Sequence, residues 1–120
     1  MIVELSKEYI FEAAHRLPRV PEGHKCARLH GHTYKVELAV RGPVDAGTGW
    51  LMDFTRVDDL WAELFARFDH RNLNDVPGLD NPTSEELAAW IWKRLRPQLE
   101  LLSAVTIAET CMSRCTYRGD

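Results

Sequence analysis

The sequence predicts an α+β domain, a four-stranded antiparallel sheet with two helices packed on one face. Three observations predict it. Tyr34, Val36, Leu38 and Val40 alternate with Lys35, Glu37 and Arg41, the period of a half-buried strand. Val57, Leu60, Trp61, Leu64, Phe65 and Phe68 form one stripe at helical spacing. A second helical face, Leu87, Trp90, Ile91 and Leu95, follows a short loop. Strands at both ends of the chain with helices between them make layers rather than a doubly wound fold.

Taken in order, the first strand is expected over roughly residues 2–14, where Tyr9, Phe11 and Ala13 share a face. The second is expected over roughly 32–42 and is closed by Gly42-Pro43; Asp45 to Gly49 reads as loop. Thr55 is the expected N-cap of the first helix, and Asp58 and Asp59 suit the positive end of its dipole. Asp75 to Pro82 is rich in Pro, Gly, Asp and Asn and reads as loop. Thr83 opens the second helix with Glu86 three residues on, a capping box, Trp90 belongs to the core, and Pro97 limits the helix. A third strand is expected over Ala104 to Thr110, with Val105, Ile107 and Glu109 in phase, and a short fourth near Thr116 to Arg118.

The length of 120 residues fits a single domain, residues 1–120, and 45 % hydrophobic residues supply its core. The net charge is −3, which disfavours a general binder of nucleic acid or of a membrane surface. No apolar run is long enough to span a bilayer, and the first residues lack the basic and apolar regions of a secretory signal. Three cysteines, an odd count, fit reduced thiols in a cytoplasm.

Four of the five histidines, His15, His24, His30 and His32, lie within 18 residues. In an extended segment, residues two apart point the same way, so His30 and His32 face one point with Gly31 leaving room between them. His15 shares parity with Phe11 and Ala13, and antiparallel pairing of the first two strands brings it to the other two. Three neutral imidazoles with an open fourth position describe a catalytic zinc site better than a closed structural one, although imidazole also suits other divalent metals. Cys26 is either a fourth ligand of a closed site or a thiolate reagent beside the metal. Lys25, Arg28 and the neighbouring histidines make a positive setting that favours a thiolate. Asp69-His70, past the last apolar residue of the first helix, is either a proton relay or a surface pair. Glu109 on a buried face needs a partner, either an arginine or a ligand presenting two parallel N–H donors. Between His15 and His32 lie three Arg and one Lys against one Glu, a local basic stretch suited to an anionic small molecule. Cys111-x₃-Cys115 has no matching second pair and reads as hairpin packing or an incidental thiol pair.

Together these segments resemble the 6-pyruvoyl-tetrahydropterin synthase superfamily, most closely its bacterial 6-carboxy-5,6,7,8-tetrahydropterin synthase branch. The resemblance runs from Phe11-Glu12-Ala13-Ala14-His15-Arg16-Leu17 through Gly23-His24-Lys25-Cys26 and His30-Gly31-His32. It continues through Phe68-Asp69-His70 and Asn81-Pro82-Thr83-Ser84-Glu85 to Glu109-Thr110-Cys111 and Tyr117-Arg118-Gly119. The Cys-x₃-His spacing of Cys26 and His30 resembles the carboxy branch; the pyruvoyl branch places two more residues there.

The resemblance implies the tunnelling fold and zinc ligands at His15, His30 and His32. It implies a proton-accepting thiol at Cys26, a relay at Asp69 and His70, and a pterin anchor at Glu109, which is also described as part of the relay. Thr83 and Ser84 match the stretch that helps hold the pterin ring. It further implies 7,8-dihydroneopterin triphosphate as substrate and a homo-oligomer, a hexamer built as a dimer of trimers, with active sites between subunits.

Overall fold

The computed structural model describes residues 1–120. Strand β1 (Ile2–His15) pairs antiparallel with β2 (His30–Pro43) along its whole length, from Ile2 opposite Pro43 to His15 opposite His30. Strand β2 then pairs antiparallel with β4 (Leu102–Ala108), and β4 with β5 (Cys115–Tyr117). Helices α1 (Phe54–Phe68) and α2 (Ser84–Leu95) connect β2 to β4.

The sheet has a fifth strand that the sequence reading did not contain, giving the order β3-β1-β2-β4-β5. Strand β3 is only Arg71–Asn72 and runs parallel to β1 beside Ala13 and Ala14. Two residues are too few to show a period. They are laid on the edge by their predecessors: the Glu12 N–H donates to the Asp69 carboxylate at 2.9 Å, and the His70 N–H donates to the Glu12 carbonyl.

Alternation decides which face of the sheet is buried. Phe11, Ala13 and His15 of β1, Tyr34, Val36 and Leu38 of β2, and Val105 and Ile107 of β4 lie beneath the helices. Val57, Leu60, Trp61, Leu64 and Phe68 of α1 and Leu87, Ala88, Ile91 and Leu95 of α2 complete one cluster with them. Each large apolar side chain so buried contributes about 1.5–3 kcal/mol. Aromatic rings run through this core from Tyr9 and Trp61 to Phe11, Tyr34 and Phe68, with Phe11 stacked on Tyr34 at 4.9 Å. The opposite face carries Glu4, Glu8, Glu12, Thr33 and Lys35.

Several local expectations are corrected. The N-cap of α1 is Asp53, whose carboxylate accepts the Thr55 N–H at 2.9 Å; the helix begins at Phe54, and Thr55 lies inside it. Phe65, counted in the apolar stripe, is 39 % exposed. Trp90 is half-buried against the core rather than inside it, because its indole N–H reaches the Pro77 carbonyl at 3.0 Å. Strand β4 ends at Ala108, so Glu109 sits on the bend just beyond it. Thr83 caps α2 as expected, its hydroxyl accepting the Glu86 N–H at 3.1 Å.

Candidate active site

Full-length pairing of β1 with β2 sets His15 directly opposite His30, and His32 two residues on points to the same side. The ligand atoms of these three imidazoles lie within 4.8 Å of one another. Each ring meets the others edge-on, with centroids 4.6–5.1 Å apart. The expected convergence is therefore present, at the end of the sheet where the buried face opens.

Backbone carbonyls set the orientation of two of the rings. His15 Nδ1 donates to the Pro82 carbonyl at 2.8 Å, and His30 Nδ1 donates to the Arg28 carbonyl at 2.7 Å. In the neutral tautomer that donates there, each ring turns an Nε2 lone pair toward the other, and the two Nε2 atoms are 3.1 Å apart. Two acceptors at that separation repel unless a cation lies between them. His32 Nε2 is buried with no hydrogen-bond partner. The donor set thus fits a divalent metal, held by three nitrogens and leaving a position open. Burial lowers the His15 pKa below its ordinary value, although the Pro82 carbonyl opposes the shift. A ring held neutral in this way is a competent ligand.

The floor beneath the cluster is Tyr34, wholly buried, its ring edge-on to His15 and His32. Its hydroxyl has no partner. Burial, and then the negative charge of Glu109, push the phenol far above its ordinary pKa, so it stays protonated.

Cys26 comes from the connection between β1 and β2, on the 3-10 turn Lys25–Ala27. Its half-buried thiol is not among the atoms that converge as potential ligands. It lines a cavity of about 440 Å³ together with His15, His30, His32, Leu17, Lys25 and Glu109. Thiol and imidazoles are therefore neighbours in one space.

Glu109 forms another wall. Ser84 Oγ donates to its Oε1 at 2.9 Å, and its other oxygen lies 3.8 Å from His32 Nε2. No arginine pairs with it, so the structural ion pair considered for it does not form, and the nearest ring nitrogen is that of His32. The Asn81-Pro82-Thr83-Ser84 segment reaches both ends of the site. The Pro82 carbonyl holds His15, Thr83 caps α2, and Ser84 holds Glu109.

Asp69 and His70 are placed elsewhere in the chain. Asp69 Oδ2 accepts from His70 Nδ1 at 2.8 Å. The Glu12 amide, and then His70, hold the Asp69 carboxyl below its usual range, so it is ionised and orients the ring. His70 has a φ of 57°, a left-handed conformation uncommon for non-glycine residues, among which histidine is one of the types that adopt it more often. Its imidazole is largely exposed in a depression with Glu12, Ala14, Gly31 and His32. Glu12, Ala14 and Gly31 alternate with the residues under the helices. Within one chain, His70 and the thiol line separate depressions that share His32.

Architecture and site together describe an α+β domain with three convergent imidazoles, a thiol and a carboxylate around one cavity. The family model described as 6-pyruvoyl tetrahydropterin synthase matches residues 4–120, and the chain belongs to that family. It is 41 % identical over 117 residues to the 6-carboxy-5,6,7,8-tetrahydropterin synthase of Synechocystis, covering 92 % of this chain and 89 % of that one. It is 38 % identical over 132 residues to the 6-pyruvoyl tetrahydrobiopterin synthase of Drosophila melanogaster, covering 96 % and 79 %. Among solved structures, the 6-pyruvoyl tetrahydropterin synthase of Caenorhabditis elegans superposes with a TM-score of 0.92 at 30 % identity, covering 100 % of this chain and 97 % of that one. The tunnelling fold expected from the sequence is the fold of the chain. No helix is long and apolar enough to cross a membrane.

Sequence reasoning missed two groups that orient the histidines, the Pro82 and Arg28 carbonyls, which carry no side-chain signal. It places His24 only in the positive setting around Cys26 and does not contain the hydrogen bond that His24 accepts from the Cys26 N–H.

Proposed function

We propose that the chain is a 6-carboxy-5,6,7,8-tetrahydropterin synthase. It converts 7,8-dihydroneopterin triphosphate and one water to 6-carboxy-5,6,7,8-tetrahydropterin, acetaldehyde and triphosphate, in queuosine (7-deazapurine) biosynthesis. The observation that supports this most is the sharing of one cavity by three convergent imidazoles, an unattached thiol and Glu109. Cys-x₃-His spacing and the 41 % identical Synechocystis relative favour the carboxy branch.

His15, His30 and His32 hold zinc. Bound there, zinc supplies Lewis acidity to the oxygens of the substrate side chain. The Cys26 thiolate accepts a proton from that side chain. Glu109 takes the amino-pyrimidine edge of the pterin through two parallel N–H bonds, and Thr83 and Ser84 steady the ring. His70, oriented by Asp69, moves protons on the opposite side. Its position away from the thiol within one chain accords with active sites formed between subunits of a homo-oligomer, a hexamer built as a dimer of trimers. Closing such a sheet into a barrel also removes its free edges. The basic residues between His15 and His32 meet the triphosphate, and the enzyme works in the cytoplasm.

The deciding experiment is incubation of zinc-loaded protein with 7,8-dihydroneopterin triphosphate and identification of the pterin formed. Acetaldehyde with 6-carboxytetrahydropterin is the expected result. A 6-pyruvoyl product without acetaldehyde assigns the chain to the activity named for its Drosophila relative. Glu109→Ala is expected to weaken pterin binding at least about tenfold, since a hydrogen bond to a charged group contributes about 1.5–3 kcal/mol. Equilibrium titration with neopterin measures it; unchanged affinity with loss of folding makes Glu109 structural.

A further inference from the structure

The connection that carries Cys26 also carries a histidine to which the reaction above gives no part. His24 Nδ1 accepts the backbone N–H of Cys26 at 3.0 Å and so caps the turn Lys25–Ala27. At the other end of the same residue, the Cys26 carbonyl accepts the Leu17 N–H at 2.8 Å, two residues beyond His15. Both peptide groups of Cys26 are therefore held, one by the backbone beside a metal ligand and one by the His24 ring. Cys26 is half-buried while His24, Lys25, Ala27 and Arg28 are exposed. The turn thus brings Lys25 and Cys26 to the cavity, and of the two only Cys26 is half-buried there.

Five other links run from a side chain to the N–H two residues on. Asp45 reaches Gly47 at 2.7 Å, Asp53 reaches Thr55 at 2.9 Å, and Asn72 reaches Asn74 at 3.1 Å. Thr48 reaches Trp50 at 3.3 Å and Thr110 reaches Met112 at 3.2 Å. All five do it with an oxygen. In His24 the ring nitrogen bonded to Cγ occupies the place of that oxygen, so asparagine reproduces the link without the imidazole.

We propose that His24 is a positioning residue that aims the Cys26 thiol into the active-site cavity through this single backbone hydrogen bond. The proposal rests on the reading of Cys26 as the proton acceptor. Loss of the bond frees the Cys26 peptide to rotate. A misplacement of about 1 Å at a reacting group costs up to about 100-fold in rate.

The test compares wild type, His24→Ala and His24→Asn, by steady-state kinetics and by amide hydrogen exchange at Cys26 on the metal-free, substrate-free protein. His24→Ala is expected to lower kcat by about 10- to 100-fold with KM nearly unchanged. It also speeds Cys26 amide exchange and leaves the protein folded, with at most the small fall in melting temperature that losing one exposed cap brings. His24→Asn restores both slow exchange and kcat. Wild-type kcat in His24→Ala overturns the proposal. So does a His24→Asn variant that regains amide protection but not turnover, because the imidazole is then itself a reacting group. If wild-type protein turns over no dihydroneopterin triphosphate, the proposed activity fails. The clip is then judged by exchange alone, and equal Cys26 exchange in wild type and His24→Ala overturns it.

Discussion

Cys26→Ala is expected to abolish turnover while leaving the fold and the metal content intact. The thiol lies beside the three imidazoles without joining the group whose ligand atoms converge. Removing it subtracts a base and no ligand. Loss of a positioned general base costs about 10²–10⁴ in rate. Metal analysis and circular dichroism on the purified variant check the first half of this, and a product assay the second. Loss of zinc from Cys26→Ala would make the sulfur a fourth ligand and the site a closed structural one.

His15→Ala is expected to lose both metal and activity. His15 is the most buried of the three rings, and its orientation is fixed through Pro82. Mutating an outer-shell partner of a metal ligand already costs about 10–100-fold in affinity, so deletion of the ligand itself costs more. Competition with a chromophoric zinc chelator measures it. The same burial predicts a pH dependence in metal-free wild-type protein. The His15 pKa is lowered on folding, chiefly by burial, so the unfolded chain binds its proton more readily. Stability is therefore full above the ordinary histidine value of about 6.5. It declines as pH falls below that value, by up to about 1.4 kcal/mol per pH unit, and levels off below the folded-state value. Urea midpoints measured between about pH 8 and pH 5 follow this decline. Saturating zinc opposes it, because the metal binds the native, neutral ring.

Much of the fold was legible because its signals are periodic. The alternation of Tyr34 to Val40 and the stripe of Val57 to Phe68 each report which side is buried, and the structure buries those sides. The same parity placed His15, His30 and His32 together, since a strand that puts Phe11 and Tyr34 inward must put its histidines there also. What stayed hidden has no period. Strand β3 owes its existence to Asp69 and His70 fastening onto the edge of β1 at Glu12. Asp53 rather than Thr55 caps α1, and both residue types suit that position. Trp90 fits the apolar face of its helix by spacing, yet its ring N–H draws it toward a loop carbonyl.

One short stretch, Pro82 to Ser84, touches the histidine cluster proposed to hold metal through His15, and the carboxylate proposed to take the pterin through Glu109. Recognition and reactivity are in that sense built on a common beam. On the proposed roles, a substitution there that retunes which heterocycle is accepted is expected also to alter how strongly the His15 nitrogen donates to a bound ion. Evolution of a new substrate range in this scaffold would therefore find it easier to vary the distant walls of the cavity than this one.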